Sequence, residues 1–255
     1  MMKKNTIKVI VVILTAIIAV FIFSACQTEQ ETSSLTLLIS GDIEDYAANV
    51  ALNTIEKESF SYVKDNETLN YEGYRLSKVL EKVTVFSSDS WLLMTAADTV
   101  SARVDYLSAN LIYIVEEDGK LNIKAPSHPP VAGIKGLAEI TVIAKEAIGN
   151  GMKIVSEEET SVISYGNIRL RLFEQTAENY KLGNVAYKHM SAENITVASL
   201  TDSSKNYLYF DNKDIVLASE EGVLSWTNGR AAYIEEDIIS EKLTGIVCGV
   251  DKILM

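Results

Sequence analysis

The stretch Asn70–Leu80, NYEGYRLSKVL, is where the chain changes from one structural period to another. Apolar residues recur from here at i, i+3, i+4 and i+7, which places them on one face of a helix: Leu76, Val79, Leu80 and Val83. The aromatic–Gly–aromatic segment that precedes them contains Gly73, the residue type that best tolerates a tight backbone path. The pattern therefore predicts a turn at Gly73 that leads directly into an amphipathic helix.

The residues before this stretch predict two strands with a helix between them. LTLLIS (35–40) runs into Gly41-Asp42, a combination typical of a strand that ends in a turn, and SFSYV (59–63) alternates as a strand does. Between them, Asn49–Lys57 is predicted to be a short helix with Val50 and Ile55 on its apolar side.

The residues after it predict further strands. WLLMTA (91–96) is apolar enough for a central strand and SARVDYL (101–107) alternates, while LIYIVEEDGK (111–120) predicts a hairpin through its Asp-Gly pair into LNIKA (121–125). The prolines of PSHPP (126–130) exclude regular structure there, and LAEITVIAK (137–145) is the closing strand of this region.

A boundary is predicted at 149–160, where Gly and acidic residues replace the apolar pattern, and the remainder of the chain is β-rich. The strand candidates are NIRLRLF (167–173), ITVASL (195–200), NYLYF (206–210) and DIVLA (214–218). Asn228-Gly229 lies between two β-prone arms and is the strongest hairpin signal in the chain. Trp226 and Arg230 flank its tip, so this hairpin either serves only its turn or offers a stacking site to a partner.

The first residues form an export signal. Lys3, Lys4 and Lys8 precede an apolar run over 9–23, and small residues then lead to Cys26. The sequence FSAC resembles the bacterial lipobox, with Phe23 in place of the usual Leu, which implies that Cys26 is acylated. A plain signal peptide and a single membrane anchor are the alternatives. Each of them places the bulk of the chain outside the cytoplasm, and the lipoprotein interpretation anchors it to the membrane through the lipid.

Composition narrows the classes of partner. The formal net charge is −12, and the signal segment carries three lysines and no acids, so its removal makes the exported body more acidic still. Such a chain lacks the basic surface that nucleic acids require, so no nucleic-acid partner is predicted. The acidic clusters lack calcium-loop spacing and histidine is scarce, so no metal site is predicted either. Cys248 has no partner if Cys26 is acylated, and its apolar surroundings predict a buried thiol.

Three segments, in order, resemble the oxidoreductase molybdopterin-binding domain of the sulfite-oxidase type. They are Tyr71–Leu76 (YEGYRL), Ala97–Thr99 (ADT) and Gly133–Ile140 (GIKGLAEI), and the resemblance runs from about Leu35 to about Lys145. It implies an α+β fold with a mixed β-sheet domain of that type, followed by a β-rich C-terminal region. The predicted organisation is a signal peptide (1–25), a tether (26–34), the molybdopterin-oxidoreductase-like domain (35–148) and the C-terminal region (160–255), which is either a second small domain or an extension of the first sheet.

The resemblance also implies a cleft and a cofactor, molybdopterin, whose molybdenum is bound by a cysteine thiolate in this family. The corresponding segment here, Ser61–Tyr71, contains no cysteine, which disfavours that cofactor and leaves its identity unknown. The candidate cleft residues are Tyr71, Gly73, Tyr74, Asp98, Arg103, His128 and Lys135, and the two tyrosines either cap the cleft or pack at the edge of the core.

The leading hypothesis is a membrane-anchored binding or accessory module whose partner is a small molecule or a protein at the membrane surface. The alternatives are a molybdopterin-dependent oxidoreductase with atypical ligation and a structural surface protein.

Overall fold

Most of the chain is β-sheet. The computed structural model describes residues 35–64, 66–172, 187–189, 195–201, 203–227, 229–236 and 238–249. The predicted signal peptide, the tether with Cys26, and Asn228 lie outside these residues. The strands are β1 Thr36–Gly41, β2 Ala47–Ala51, β3 Glu58–Lys64, β4 Glu67–Arg75, β5 Ser90–Ala96, β6 Ser101–Asp105, β7 Tyr113–Glu117, β8 Lys120–Lys124, β9 Leu137–Ala144, β10 Met152–Val155, β11 Thr160–Ile163, β12 Tyr187–His189, β13 Ile195–Thr196, β14 Asn206–Phe210, β15 Ile215–Leu217, β16 Val223–Thr227, β17 Arg230–Glu235, β18 Ile238–Ser240 and β19 Leu243–Cys248.

Helices are short by comparison. The α-helices are α1 Leu76–Leu80, α2 Tyr165–Arg171 and α3 Val197–Thr201, and single 3-10 turns cover Leu52–Thr54, Tyr106–Leu111 and Pro130–Ala132. Among the described residues, no helix has the length and apolar character needed to cross a membrane. The predicted β-rich, mixed-sheet character is confirmed, while the helical share is smaller than an α+β fold suggests.

The first sheet, here called the central sheet, has the strand order β12-β6-β5-β9-β1-β2. β1 runs parallel to β9 and the other neighbours are antiparallel, so the sheet is mixed. β5, the predicted central strand, lies between β6 and β9 and is almost entirely buried. Strands covered on both faces read as continuous apolar runs, which is why WLLMTA was recognisable from its composition.

A second sheet, the small sheet, has the order β3-β4-β7-β8 and carries α1 at the end of β4. Leu76, Val79 and Leu80 are fully buried, which confirms the predicted apolar helix face for these three residues. Val83, its fourth predicted member, lies beyond the end of α1 and is half-buried. The predicted Asp-Gly hairpin joins β7 to β8, and both of its turn residues have positive φ, 52° at Asp118 and 70° at Gly119. Two adjacent positive φ values are the requirement that makes Asp-Gly so typical of such turns.

The C-terminal half adds a five-stranded sheet, β11-β10-β19-β14-β15, and a hairpin sheet, β13-β16-β17-β18. β16 and β17 pair in register around the predicted Asn-Gly turn. A core between these sheets and α2 contains Leu208, Phe210, Tyr233 and Ile246. From Thr36 onward the chain forms one compact unit. The predicted boundary at 149–160 contains the whole of β10 and ends at the first residue of β11, and the independent folding of 160–255 stays a prediction.

Four local predictions were wrong. Asn49–Lys57 is mostly strand β2 and a 3-10 turn, because β1 offers an edge with which Ala47–Ala51 pairs antiparallel. NIRLRLF is largely helix α2, and ITVASL contributes a two-residue strand followed by α3. Gly73 is an extended residue within β4 and makes no turn. An ideal Cβ there would lie 2.8 Å from the Ile114 carbonyl oxygen, so glycine is needed for close approach of the strands.

Candidate functional site

Glu139 on β9 is the centre of a buried polar cluster where the central sheet meets α2 and the β16–β17 hairpin. Its Oε1 accepts hydrogen bonds from the Ser40 hydroxyl and from Trp226 Nε1 at 3.0 Å, and its Oε2 accepts one from Arg169 Nη2 at 3.2 Å. Ser40 Oγ also lies 3.1 Å from Thr141 Oγ1. The four contacts tie β1, β9, α2 and β16 together, and we call this group the Glu139 cluster.

The cluster contains a buried ion pair. Glu139 is 7% exposed and Arg169 is 8% exposed. Burial lowers the pKa of Arg169, while the neighbouring Glu139 carboxylate opposes that shift. The Arg169 guanidinium carbon also lies 5.5 Å from the centroid of the Trp226 ring, a cation–π distance. Three donors from three different elements hold the Glu139 carboxylate, so this geometry joins β1, α2 and β16 to β9.

A second buried carboxylate, Asp42, lies at the start of α2. Its Oδ2 accepts from the Ala144 amide and the Ser164 hydroxyl, both at 2.8 Å, and its Oδ1 accepts from the Gly166 amide at 2.9 Å. Burial raises the pKa of Asp42, and these hydrogen bonds partly offset the rise. Gly166 has no room for a side chain, since an ideal Cβ would lie 2.3 Å from the Val142 carbonyl oxygen. Asp42 thus holds the first turn of α2 against β9.

Two of the predicted cleft residues, Tyr71 and Gly73, lie on the outward face of the small sheet in a stack of aromatic rings. The centroids of Tyr71 and Phe60 are 5.7 Å apart, and those of Phe60 and Tyr113 are 3.9 Å apart with nearly parallel planes. Phe60 passes over Gly73, whose ideal Cβ would lie 3.3 Å from that ring. Gly73 therefore makes room for the ring that completes the stack, which we call the aromatic ladder.

Cations close both ends of the aromatic ladder. Lys124 Nζ lies 4.7 Å from the Tyr71 ring centroid, and the Arg75 guanidinium carbon lies 5.0 Å from that of Tyr113. Each cation is paired with a carboxylate, at 2.8 Å between Lys124 Nζ and Glu117 Oε2 and at 2.9 Å between Arg75 Nε and Glu58 Oε2. The ring faces are thus occupied by neighbours of the same chain, and the half-buried ring edges meet solvent.

Three other predicted cleft residues lie apart from the aromatic ladder. Tyr74 follows Gly73 on β4, so its side chain points to the opposite, buried face of the small sheet. Asp98 occupies the turn between β5 and β6, where its carboxylate accepts a hydrogen bond from the Val100 amide at 3.3 Å. Arg103 lies on β6 of the central sheet, with its guanidinium carbon 4.4 Å from the Trp91 ring centroid.

The last two, His128 and Lys135, belong to the connection between β8 and β9. Burial lowers the pKa of His128, and its ring nitrogens make no hydrogen bond within the described part of the chain. Lys135 is exposed and forms an isolated β-bridge with Asn122. The seven predicted residues are distributed over the two faces of the small sheet, the central sheet and its loops, so the structure does not bring them together in one cleft.

The predicted interaction hairpin makes contacts within its own chain. Trp226 belongs to the Glu139 cluster, and an ideal Cβ on Gly229 would lie 2.4 Å from Ala47 Cβ on β2. The Arg230 guanidinium carbon lies 4.7 Å from the centroid of the Tyr46 ring. The tip of this hairpin therefore packs on the edge of the central sheet, and a partner-binding role for it stays a prediction.

The thiol chemistry does not fit molybdopterin. The segment 61–71, where the resemblance places the metal-binding cysteine, forms parts of β3 and β4 and supplies Tyr71 to the aromatic ladder. Cys248 lies in the five-stranded sheet, buried, with its Sγ 3.5 Å from the Val155 carbonyl oxygen. This confirms the predicted buried thiol. Cys26 and Cys248 are the only cysteines of the sequence, so the segment 61–71 offers no soft ligand.

Sequence reasoning missed the residues that the structure gathers most tightly: Ser40, Asp42, Glu139 and Arg169. A signal was present for Glu139, the one charged residue inside the apolar segment LAEITVIA, and a weaker one for Arg169, which alternates with apolar residues in NIRLRLF together with Arg171. A charge at such a position is rarely buried without a partner of opposite sign. Their pairing across 30 positions was not readable from either segment alone.

Comparisons with known proteins leave the family of the chain unassigned. No protein-family model matches the sequence, and no curated protein matches it. Among solved structures, the chain is similar to the sulfane dehydrogenase SoxCD from Paracoccus pantotrophus, with a TM-score of 0.37 and 8% sequence identity over 80% of this chain and 68% of that one. At that identity and TM-score the likeness assigns neither a family nor an activity.

Proposed function

We propose that this protein is a lipid-anchored, extracytoplasmic binding or accessory module, built on a molybdopterin-oxidoreductase-like domain that lacks the metal-binding thiolate. The observation that carries the proposal is the order of features at the N-terminus. A basic start, an apolar run and FSAC are followed by the polar residues 27–34, and β1 begins at Thr36. An extended tether over 26–34 reaches about 30 Å, enough to hold the folded body close to a membrane surface.

The domain type is supported by where the three resembling segments lie. Tyr71–Leu76 runs from β4 into α1, Ala97–Thr99 is the turn between β5 and β6, and Gly133–Ile140 leads into β9. Each segment therefore lies where one strand or helix ends and the next begins, which is consistent with the resemblance. The Gly41-Asp42 turn after β1 has a specific task as well, because Asp42 holds the start of α2.

Binding is favoured over redox catalysis by the chemistry of the residues present. The segment expected to carry the thiolate contributes instead to the aromatic ladder. The buried Glu139–Arg169 pair is neutralised internally and serves packing. The proposal therefore assigns function to the surfaces of the domain.

The anchor is tested by expressing the full chain in a bacterium and labelling it with an alkyne analogue of palmitate. The wild-type chain is expected to incorporate label and sediment with membranes, and Cys26→Ser is expected to lose the label. Cys248→Ser is the matched control, since that thiol is buried and should leave labelling unchanged. A wild-type chain without label would refute the anchoring.

The absence of redox chemistry is tested separately in a host that makes molybdopterin. Molybdenum is measured by elemental analysis of the purified chain, and pterin by fluorescence after denaturation. Substoichiometric traces of both are expected. Near-stoichiometric metal and pterin would overturn the binding module and favour an oxidoreductase with atypical ligation.

A further inference from the structure

The five-stranded sheet is apolar on both of its faces. Directly paired residues of neighbouring strands share a face, so the registers identify the side that points away from the core. We call this side the outer face; it consists of Thr160, Val162, Lys153, Val155, Gly245, Val247, Tyr207, Tyr209, Ile215 and Leu217. Lys153 is its only charged residue.

The outer face meets solvent. Leu217 is 52% exposed, Ile215 39% and Val162 36%, and the other apolar members are half-buried. On the inner face of the same strands, Met152, Leu208 and Ile246 are fully buried in the core. An antiparallel sheet with one solvated face normally alternates apolar and polar residues. Apolar residues on both faces are the pattern of a sheet that is covered on both sides.

Charge is distributed unevenly along the strands of this sheet. The strand ends near Val155 and Leu217 are followed by an acidic rim: Glu157, Glu158, Glu159, Glu220 and Glu221, with Lys205 nearby. The opposite ends carry lysines and a similar number of acids: Lys153, Lys213, Lys242, Asp211, Asp214 and Glu241. One end of the outer face is therefore strongly negative. The other is nearly balanced: Lys242 Nζ lies 3.5 Å from Asp211 Oδ2 of the same chain, and Lys153 and Lys213 are exposed.

We propose that the outer face is covered by a second copy of this chain in a two-fold symmetric, sheet-on-sheet dimer. A two-fold axis in the plane of the interface and perpendicular to the strands lays the acidic rim of one copy over the lysine-bearing end of the other. The face is thus complementary to itself in this orientation. An axis along the strands would instead stack acidic rim on acidic rim, which repulsion disfavours.

The size of the outer face sets the strength of the association. Five strands spaced by about 4.8 Å give a face about 24 Å wide, with two outward residues along each strand. Such an area is smaller than that of a standard stable interface. The dimer is therefore a weak, concentration-dependent one, strengthened wherever copies are held together on a surface. The inference does not depend on the lipid anchor.

The test uses full-length chain with Cys26→Ser, solubilised in detergent at a large excess of micelles over protein. Two tagged versions are mixed, one with Glu220→Cys in the acidic rim after β15 and one with Lys213→Cys at the other end, between β14 and β15, so that both lie on the same edge of the sheet. A short bismaleimide is expected to give the mixed dimer at about tenfold the yield of either self-paired product. Val63→Cys on β3, exposed and far from the outer face in sequence and sheet, is the control and should cross-link at background.

A second variant set tests the apolar contact. Ile215→Lys with Leu217→Lys, both at exposed positions, should reduce the mixed dimer at least about tenfold while leaving the melting temperature of the chain unchanged. The same pair of substitutions at Ile238 and Ile239, exposed on β18 of the hairpin sheet, should leave cross-linking as it was. Equal yields of mixed and self-paired products, cross-linking that survives the lysine substitutions, or no product above the Val63→Cys background would each overturn the dimer.

Discussion

Arg169→Met is the perturbation that tests the Glu139 cluster most directly. Methionine keeps most of the length of the side chain and its helix propensity, and it removes the charge and the hydrogen bond to Glu139. Breaking a buried ion pair by removing one partner costs about 3–5 kcal/mol of unfolding free energy. Glu139 keeps the donors of Ser40 and Trp226, so the lower end of that range, about 3 kcal/mol, is expected here.

The expected cost corresponds to a measurable shift. For a chain of this size, about 3 kcal/mol lowers the melting temperature by about 6–12 °C. Thermal unfolding is followed by circular dichroism and by the fluorescence of the tryptophans, of which Trp226 contacts Arg169 directly. Arg171→Met, two positions later on the same helix and exposed, is the matched control and should shift the transition by less than about 2 °C.

A double-mutant cycle separates pairing from simple loss of packing. Glu139→Gln alone leaves Arg169 buried without its counter-charge, while Glu139→Gln with Arg169→Met removes both charges together. The double variant should be more stable than the sum of the single losses by about 1–3 kcal/mol. If the losses add to within about 0.5 kcal/mol, Glu139 and Arg169 do not interact as described and the role of the cluster is refuted.

Three further outcomes are expected. Because the pKa of Asp42 is raised in the folded chain, its contribution to stability is fully present below the ordinary value of 3.8 and is lost as pH rises through the raised pKa. The unfolding free energy of the wild type should therefore fall with rising pH relative to that of Asp42→Asn. Parallel profiles of the two proteins would contradict this. Gly73→Ala should cost about 1–3 kcal/mol because the added Cβ meets the neighbouring strand, whereas Gly149→Ala has open space and should be near neutral, as urea titration can show. Cys248 should react with a maleimide only as fast as the chain unfolds, and rapid labelling of native protein would show that the thiol is accessible.

The elements that sequence analysis located correctly are those whose surroundings are uniform along the element. β5 is covered on both faces, so a continuous apolar run was sufficient to identify it. Asp118-Gly119 and Asn228-Gly229 are local turn signals that need no information from elsewhere in the chain. For the aromatic ladder, the sequence shows the aromatic residues but not their contacts. The stacking of Phe60 between Tyr71 and Tyr113 depends on how β3, β4 and β7 align.

α2 was missed because it is buried on several sides. Tyr165, Ile168 and Leu172, which follows the last residue of α2, pack against one core with the i, i+3, i+7 spacing of a helix, while Leu170 packs against another. The additional apolar residue places Ile168, Leu170 and Leu172 at alternate positions, the pattern of a strand. β2 was missed for the opposite reason, because its pairing with β1 outweighs its own weak preference.

By itself, the sequence determined the acidic character of the chain, the main strands and two hairpins, because each depends on composition or on residues within one turn of each other, while the export signal stays a prediction. Only the tertiary structure decided that Glu139 and Arg169 face each other, that Asp42 holds α2, and that the predicted cleft residues separate onto different surfaces. It also decided which side of the five-stranded sheet is left in solvent. These features join segments far apart in the chain, and a long-range contact is set by how whole sheets pack, which no local pattern encodes.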